Sequence, residues 1–370
     1  MKLLAEPARR GYGRSAIACA TGILLAVAAC TSAAPNPGAT VASSPSAGSA
    51  AGSQRPTSAS SGLAPKNSEP VKSARSTTSA PGRADVACVE DRCYELGRSF
   101  FLAKGVAPES SGIAASASTP GVFFVVDDGP GVDRIDAVRS NGTLMARIRV
   151  EGMSAKNTEA LSAGPCRPAG PRCLYIGDIG DNDARRRHIT VYRIPEPSVA
   201  PAPTVPVAAD TWNYTYRDGA HNAEAMVIRD DGSVVVITKP AVPEAGTDVP
   251  LHRIYSGPPG GGTLRFTAAF QPPRPVVRLQ SLLTGNVVTD ASYSDGRMLL
   301  LTYDQVIEYR APTRGADPAT FFQWPSARLP TPTMIQSEGI TADIAGCGYE
   351  VTSEQGPGGT QSAVSGVSCH

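Results

Sequence analysis

Apolar and polar positions alternate along most of this chain in runs of four to seven, too short for helices. The clearest case is residues 221–239. Glu224 opens the apolar run Ala225-Met226-Val227-Ile228, Asp230-Asp231-Gly232 turns the chain, and Ser233-Val234-Val235-Val236-Ile237-Thr238 returns. A β-branched run answering an apolar run across an Asp-Gly turn predicts a β-hairpin. Four other stretches repeat the pattern. Ser111-Gly112-Ile113-Ala114 leads to Val122–Val126, Glu159-Ala160-Leu161 to Leu174–Gly177, Asp290–Tyr293 to Met298–Leu301, and Glu338-Gly339-Ile340 to Tyr349–Val351. The openers stand at 111, 159, 224, 290 and 338, so the steps are 48, 65, 66 and 48 residues. A recurring all-β unit of this length is the sequence signature of a propeller blade.

Each repeat offers four strands, a to d. Strand c is expected at Arg134–Val138, Ile189–Ile194, His252–Tyr255 and Val306–Tyr309. Strand d is expected at Leu144–Val150, Thr211–Tyr216, Leu264–Phe270 and Phe321–Trp324. The fifth repeat runs short, with only Ser362–Ser368 after its hairpin. The early strand Cys93–Leu102 is expected to supply its missing outer strand, closing the ring and removing exposed sheet edges. The fold class is therefore all-β, a β-propeller with five blades favoured. Val276–Leu283 is unassigned and leaves a sixth open.

Before this domain the composition changes. Lys2, Arg9, Arg10 and Arg14 precede an uncharged stretch, Ser15–Ala29, that is short for a membrane span. It ends in Val27-Ala28-Ala29-Cys30, similar to a bacterial lipobox, so residues 1–30 read as a signal peptide with Cys30 as the lipidated residue. Ordinary secretory cleavage near Ala34 is the competing reading. Diacylglycerol on Cys30 would anchor the chain stably to the outside of the cell membrane. Residues 31–85 are Ser, Ala, Pro, Gly and Thr with few large apolar side chains, the composition of a disordered tether. The propeller is expected over 86–370. Nine of the 34 Lys/Arg and three of the 33 Asp/Glu lie in residues 1–85, leaving 25 basic and 30 acidic residues, near −5, in the domain. With no basic stripe, nucleic acid is an unsuitable partner.

Cysteine usage agrees with export. Beyond Cys19 and Cys30 there remain Cys88, Cys93, Cys166, Cys173, Cys347 and Cys369. Sequence proximity favours Cys88–Cys93, Cys166–Cys173 and Cys347–Cys369, with buried free thiols as the alternative.

In a propeller, the start of strand a and the end of strand b share one face. That face gathers the openers Glu159, Glu224, Asp290 and Glu338, with Glu109 and Ser111 in the first repeat. It also gathers the strand-b ends Asp127, Asp128, Asp178, Thr238, Lys239, Tyr303, Asp304, Ser353 and Glu354. So many carboxylates need a cation, a cationic ligand or arginine partners. Hard oxygen ligands suit Ca²⁺. The alternative is structural: such acids accept backbone N–H groups at blade corners. Asp178, Asp181, Asn182 and Asp183 form an acidic loop without EF-hand spacing, read either as a calcium loop or as an Asx-rich turn held by Arg185 or Arg187. His221, three residues before Glu224, is the one candidate general base on this face, though a plain surface histidine reads equally there. No G-x-S-x-G, P-loop or dinucleotide motif is present.

Four strings carry a resemblance: Glu109-Ser110-Ser111-Gly112-Ile113-Ala114, Tyr175–Asn182 with Tyr192–Pro197, Asp218–Ala225, and Leu301-Thr302-Tyr303-Asp304. Together, over about residues 105–355, they resemble a family of exported bacterial β-propeller proteins, many lipid-anchored, with no settled biochemical role. More distantly the layout is similar to gluconolactonase and paraoxonase propellers, which hold a divalent metal on the axis. That resemblance implies Glu159, Glu224, Asp290 and Glu338 as metal ligands. The expected function is a lipid-anchored binding or scaffold module whose acidic face takes a metal ion, a cationic ligand or a partner protein. The alternative is a metal-dependent hydrolase of lactones or phosphate esters.

Overall fold

The computed structural model describes residues 75–76, 86–240, 251–276, 280–281, 285–356 and 359–370. The expected signal peptide with Cys30 and most of the expected tether lie outside these residues, as does part of Val276–Leu283.

Runs such as Val122-Phe123-Phe124-Val125-Val126 are apolar at every position because both faces of each sheet are covered. Alternate side chains serve different neighbours. Phe124 and Val126 pack with Leu161, Leu174 and Ile176 of the next sheet, whereas Phe123 and Val125 pack with Leu102 and Val364 of the preceding one. The same division recurs around the molecule, so the cores are wedges between successive sheets.

Among the described residues the strands form five antiparallel meanders. Their inner strands are Ser110–Ala115, Ala160–Pro165, Ala223–Ile228, Val288–Ser294 and Ser337–Ala342. Each inner strand neighbours the next, and the fifth returns to the first, so the ring closes. This is a β-propeller arrangement. Closure uses the expected early strand: Arg92–Phe101 pairs antiparallel with Ala363–Cys369 as the fourth strand of the last sheet, and the unexpected strand Val86–Val89 pairs beyond it. The three disulfides are those that proximity favours, Cys88–Cys93, Cys166–Cys173 and Cys347–Cys369.

Two elements differ from expectation. Phe321–Trp324 is not a strand. Pro318–Gln323 forms a 3₁₀ helix in which the Asp317 side chain accepts from Ala319 N, and Ser326–Leu329 is the outer strand instead. Proline early in the helix and an Asp cap favour a helical start. The turn then drives Phe321 into Phe270 and Tyr309, with ring centroids 5.0 Å apart in each pair. The second surprise is Ala202–Ala208, which pairs parallel with Leu144–Glu151 at the edge of the first sheet. Its prolines, Pro203 and Pro206, hide it from a pattern search, but an edge strand tolerates missing N–H donors. This strand accounts for part of the longer second repeat. At the edge of the expected tether, Arg75–Ser76 pairs with Ala87 and Cys88.

One buried ionic cluster joins the fourth and fifth sheets. Glu308, 2% exposed, accepts from Arg297 Nε at 2.6 Å, Arg310 Nη2 at 2.9 Å and Arg92 Nη1 at 3.3 Å. Arg297 also donates to the backbone oxygens of Gly348 and Cys347. The first residue of the closing strand is thereby tied to the neighbouring sheet.

Candidate functional site

The residues around the heads of the inner strands divide into two groups. In the first, acids hold backbone. Asp127 Oδ1 accepts from Glu109 N at 2.8 Å, and Asp178 Oδ1 from Lys156 N and Asn157 N at 3.0 and 2.9 Å. Asp304 accepts from Gln280 N and Ser281 N at 3.1 and 2.8 Å. In each case the acid near the end of strand b fixes the loop leading into strand a of its own sheet. Asp290 Oδ2 accepts from Ile340 N of the next sheet at 2.8 Å. Charge-assisted bonds to backbone N–H explain Asp127, Asp178 and Asp304 without a ligand, whereas burial pushes Asp290 well above the carboxylate range and its Oδ1 is buried with no hydrogen-bond partner among the described residues.

The acidic loop belongs to the same group. Asp178 is paired through both oxygens with Arg186 at 2.8 Å, not with Arg185 or Arg187. Asp181 accepts from Arg185 N and Arg186 N at 3.0 and 2.7 Å, and Asn182 Oδ1 accepts from Asn222 Nδ2 at 2.9 Å. Asp183 faces Arg185 on the surface at 3.8 Å. The loop is a backbone turn, Ala184 N donating to Asp181 O at 2.8 Å, whose Asp181 side chain holds the next two N–H groups so that Arg186 reaches back to Asp178.

In the second group, carboxylates face one another near the axis. Glu159, Glu224 and Glu338 come from the heads of three inner strands, and Asp128 and Glu354 from strand-b ends. Lys239 Nζ lies 3.0 Å from Glu224 Oε1, and the charges of Glu338 and Glu159 also act on it. Burial alone would lower Lys239, yet these glutamates hold its ammonium above the usual value. Glu159 is pushed well above the carboxylate range, first by burial and then by Glu224, Asp128 and Glu338. Glu338 is raised by burial, Glu224 and Glu354, against the help of Lys239 and a hydrogen bond with Tyr303. Burial and the surrounding acids raise Asp128 to about 6 and Glu354 to about 7. Glu159, Glu338 and Glu354 thus each meet several like charges and, among the described residues, the one ammonium of Lys239.

The four-carboxylate metal set implied by the resemblance does not fit this arrangement. Asp290 is committed to backbone, and Glu224 to Lys239. Among the described residues no three His, Cys, Asp or Glu side chains converge as metal ligands. His221 also stands apart from the axial acids. Its Nε2 meets Tyr255 Oη at 2.8 Å and Asp218 Oδ1 at 3.3 Å, and its ring packs edge-on to Tyr216 at 5.0 Å.

The inner strands carry a further pattern that the pattern of openers alone did not bring out. The residue after each opener is small: Gly112, Ala160, Ala225, Ala291 and Gly339. A Cβ on Gly112 would stand 2.5 Å from Leu161 N, and one on Gly339 would stand 3.1 Å from Gly112 Cα. The inner strands approach most closely here, so only minimal side chains fit. Just before three openers stand Thr158, Thr289 and Ser337, at most 1% exposed, whose hydroxyls have no hydrogen-bond partner among the described residues. Beyond the small residues, the far ends of the same strands line a cavity of about 390 Å³.

No family model and no curated protein matches the chain. Several solved structures are similar to it at a distance. An aldose sugar dehydrogenase from Streptomyces coelicolor, solved with PQQ bound, is 11% identical over 76% of this chain and 99% of its own, with a TM-score of 0.41. An α-L-arabinanase from Penicillium chrysogenum, complexed with arabinobiose, is 11% identical over 73% of this chain and 96% of its own, with a TM-score of 0.38. A protein of unknown function from Dyadobacter fermentans is 11% identical over 75% and 99%, with a TM-score of 0.38. Likeness this distant carries no argument about activity, and the propeller arrangement stands on the strand pairings themselves.

Proposed function

We propose that the chain is a lipid-anchored, extracytoplasmic binding module whose acidic mouth receives a cationic group displayed by a partner protein. The observation that carries this reading is the charge imbalance of the mouth. Glu159, Glu224, Glu338, Glu354 and Asp128 act on one another around the ammonium of Lys239, the one cation among the described residues that faces them. Like charges packed in a partly desolvated site gain from any added cation. A lysine or arginine side chain from outside needs no convergent ligand shell, which suits side chains that do not converge on one point. The lipobox-like Val27-Ala28-Ala29-Cys30 and the three disulfides support display outside the cell membrane.

The test is a calorimetric titration of the full chain with tetralysine at low salt, beside the Glu159→Gln and Glu338→Gln variants. The reading expects saturable binding that weakens in both variants and with added salt. Binding unchanged by either substitution, or no binding at all, would remove the acidic mouth as the receptor. A Cys30→Ala chain is expected to leave the membrane fraction; retention there would reject the anchor.

A further inference from the structure

The three disulfides differ in where they sit. Cys166–Cys173 and Cys347–Cys369 are built into the sheets: Cys173 is 2% exposed, and Cys369 packs against the core between the fourth and fifth sheets. Cys88–Cys93 lies further out, between the strand Val86–Val89 and the closing strand Arg92–Phe101. Cys88 is exposed and Cys93 half-buried. The two cysteines are directly opposed in the ladder, one pair in from the two-residue loop Glu90-Asp91. Glu90 holds φ 57° there, a conformation that favours glycine. A bond closing so short a loop adds less by chain entropy than one closing a long loop, and this one holds a turn the sequence does not favour. An imidazole completes the row. Cys93 N donates to His370 O at 2.8 Å, and His370 N donates to Cys93 O at 3.0 Å. Residues opposed in this doubly bonded way project to the same face of a sheet. Cys88, Cys93 and His370 therefore stand side by side on three adjacent strands, and His370 is exposed.

We infer that Cys88–Cys93 is a thiol–disulfide exchange site for an external dithiol, with His370 favouring the thiolate released on Cys93. A thiolate of the dithiol attacks the exposed Cys88 Sγ, the Cys88–Cys93 bond breaks, and its electron pair leaves on Cys93 Sγ. The second thiol of the dithiol then attacks the mixed disulfide and releases Cys88. Two electrons and two protons pass to the cysteine pair, and the dithiol becomes a disulfide. Exchange needs access to one sulfur and a good leaving thiolate. The exposure of Cys88 supplies the first, and an imidazolium beside Cys93 supplies the second. The fold survives opening because other bonds keep the strands in place. Arg92 stays on Glu308, Cys93 stays paired with His370, and Val86–Val89 stays paired with Arg92–Glu95. The opened cysteines remain opposed and close again when an oxidised partner returns. This inference does not rest on the acidic mouth.

The experiment blocks the free thiols of the folded full chain, adds limiting dithiothreitol at pH 7, quenches with N-ethylmaleimide and maps the labelled cysteines by mass spectrometry. Cys88 and Cys93 are expected to label first, while Cys173 and Cys347 stay protected and the circular dichroism of the sheets is unchanged. Glutathione in place of dithiothreitol should leave a mixed disulfide on Cys88 with Cys93 alkylated. His370→Ala, at an exposed position, is expected to slow alkylation of the released Cys93 severalfold at pH 7 and to shift its pH profile upward. His370→Lys, which keeps a cation there, should restore both. All three pairs opening together, another pair opening first, or opening only as the fold is lost would each overturn the proposal. So would a glutathione adduct on Cys93, or a pH profile untouched by His370→Ala.

Discussion

Two charged clusters in this molecule are solved in opposite ways. At Glu308 one carboxylate meets three arginines and a tyrosine, and Arg297 spends its remaining donors on backbone oxygens. At the acidic mouth four glutamates, Glu159, Glu224, Glu338 and Glu354, share one lysine among the described residues. The first cluster sits between sheets and ties the closing strand to its neighbour. The second sits at the heads of the inner strands, where Asn157, Asn222 and Gln336 donate hydrogen bonds to Glu159, Glu224 and Glu354 but bring no positive charge. A buried carboxylate whose hydrogen bonds are all met is a structural joint. A set of carboxylates left short of cations is what an outside cation can use.

The largest effect is expected at the joint. Glu308→Ala strands three guanidinium groups and should cost about 3–5 kcal/mol, measured by urea unfolding. A cost below about 1 kcal/mol would mean the arginines find water instead. Next comes Lys239→Met, which removes the ammonium shared by the mouth. At pH 8 it should cost about 1.5–3 kcal/mol, the range for hydrogen bonds to charged groups, and the cost should shrink toward pH 5 as the carboxylates take up protons. A cost equal at both pH values would show that Lys239 acts by packing alone. Glu338→Gln runs the other way. It keeps an acceptor for Tyr303 but removes one repelling charge, so stability at pH 8 should rise by about 1 kcal/mol, on the scale of one pKa unit. The smallest effect is expected at Asp290→Asn, which keeps an acceptor for Ile340 N and should change stability by less than about 1 kcal/mol. A large loss there would place the Asp290 charge, rather than its hydrogen bond, in the account.

The fold was readable because both faces of nearly every inner and middle strand are apolar and because the openers recur. The closing strand was readable because the last repeat was visibly one strand short. What escaped was set by context. Ala202–Ala208 looks like loop because prolines are acceptable only at an edge, and an edge is a property of the assembled sheet. Phe321 and Trp324 read equally as strand residues until Asp317 and Pro318 are seen to start a helical turn. At the site, composition brought the acids to one face but could not divide them. Whether Asp290 takes a backbone N–H or joins the axial set depends on where Ile340 N falls. Nor did the triplet Arg185-Arg186-Arg187 show which arginine returns to Asp178. The small residues after each opener were legible, and they mark where the axis narrows.

The mouth's pH dependence follows from its raised carboxylates. Asp128 stands near 6, Glu354 near 7, and Glu159 and Glu338 well above their ordinary values. In the folded protein these groups hold protons that the unfolded chain releases at about pH 4 to 4.5. Their contribution to stability is full below that range and is lost as pH rises through the folded values. Asp218, Asp231 and Asp317 are lowered, so they act in the opposite sense only below about pH 4. The decisive measurement is therefore the urea-unfolding free energy of the full chain at pH 5 and pH 8, beside a Glu159→Gln/Glu338→Gln chain. A charge-frustrated mouth predicts lower stability at pH 8 in the wild-type chain and a shallower dependence in the double variant, in which Glu350, raised to about 8, and Asp127, raised to about 6, keep part of the slope from outside the mouth. Equal stability at the two pH values, or the same slope in both chains, would contradict it and make the mouth a satisfied structural ring like the one at Glu308.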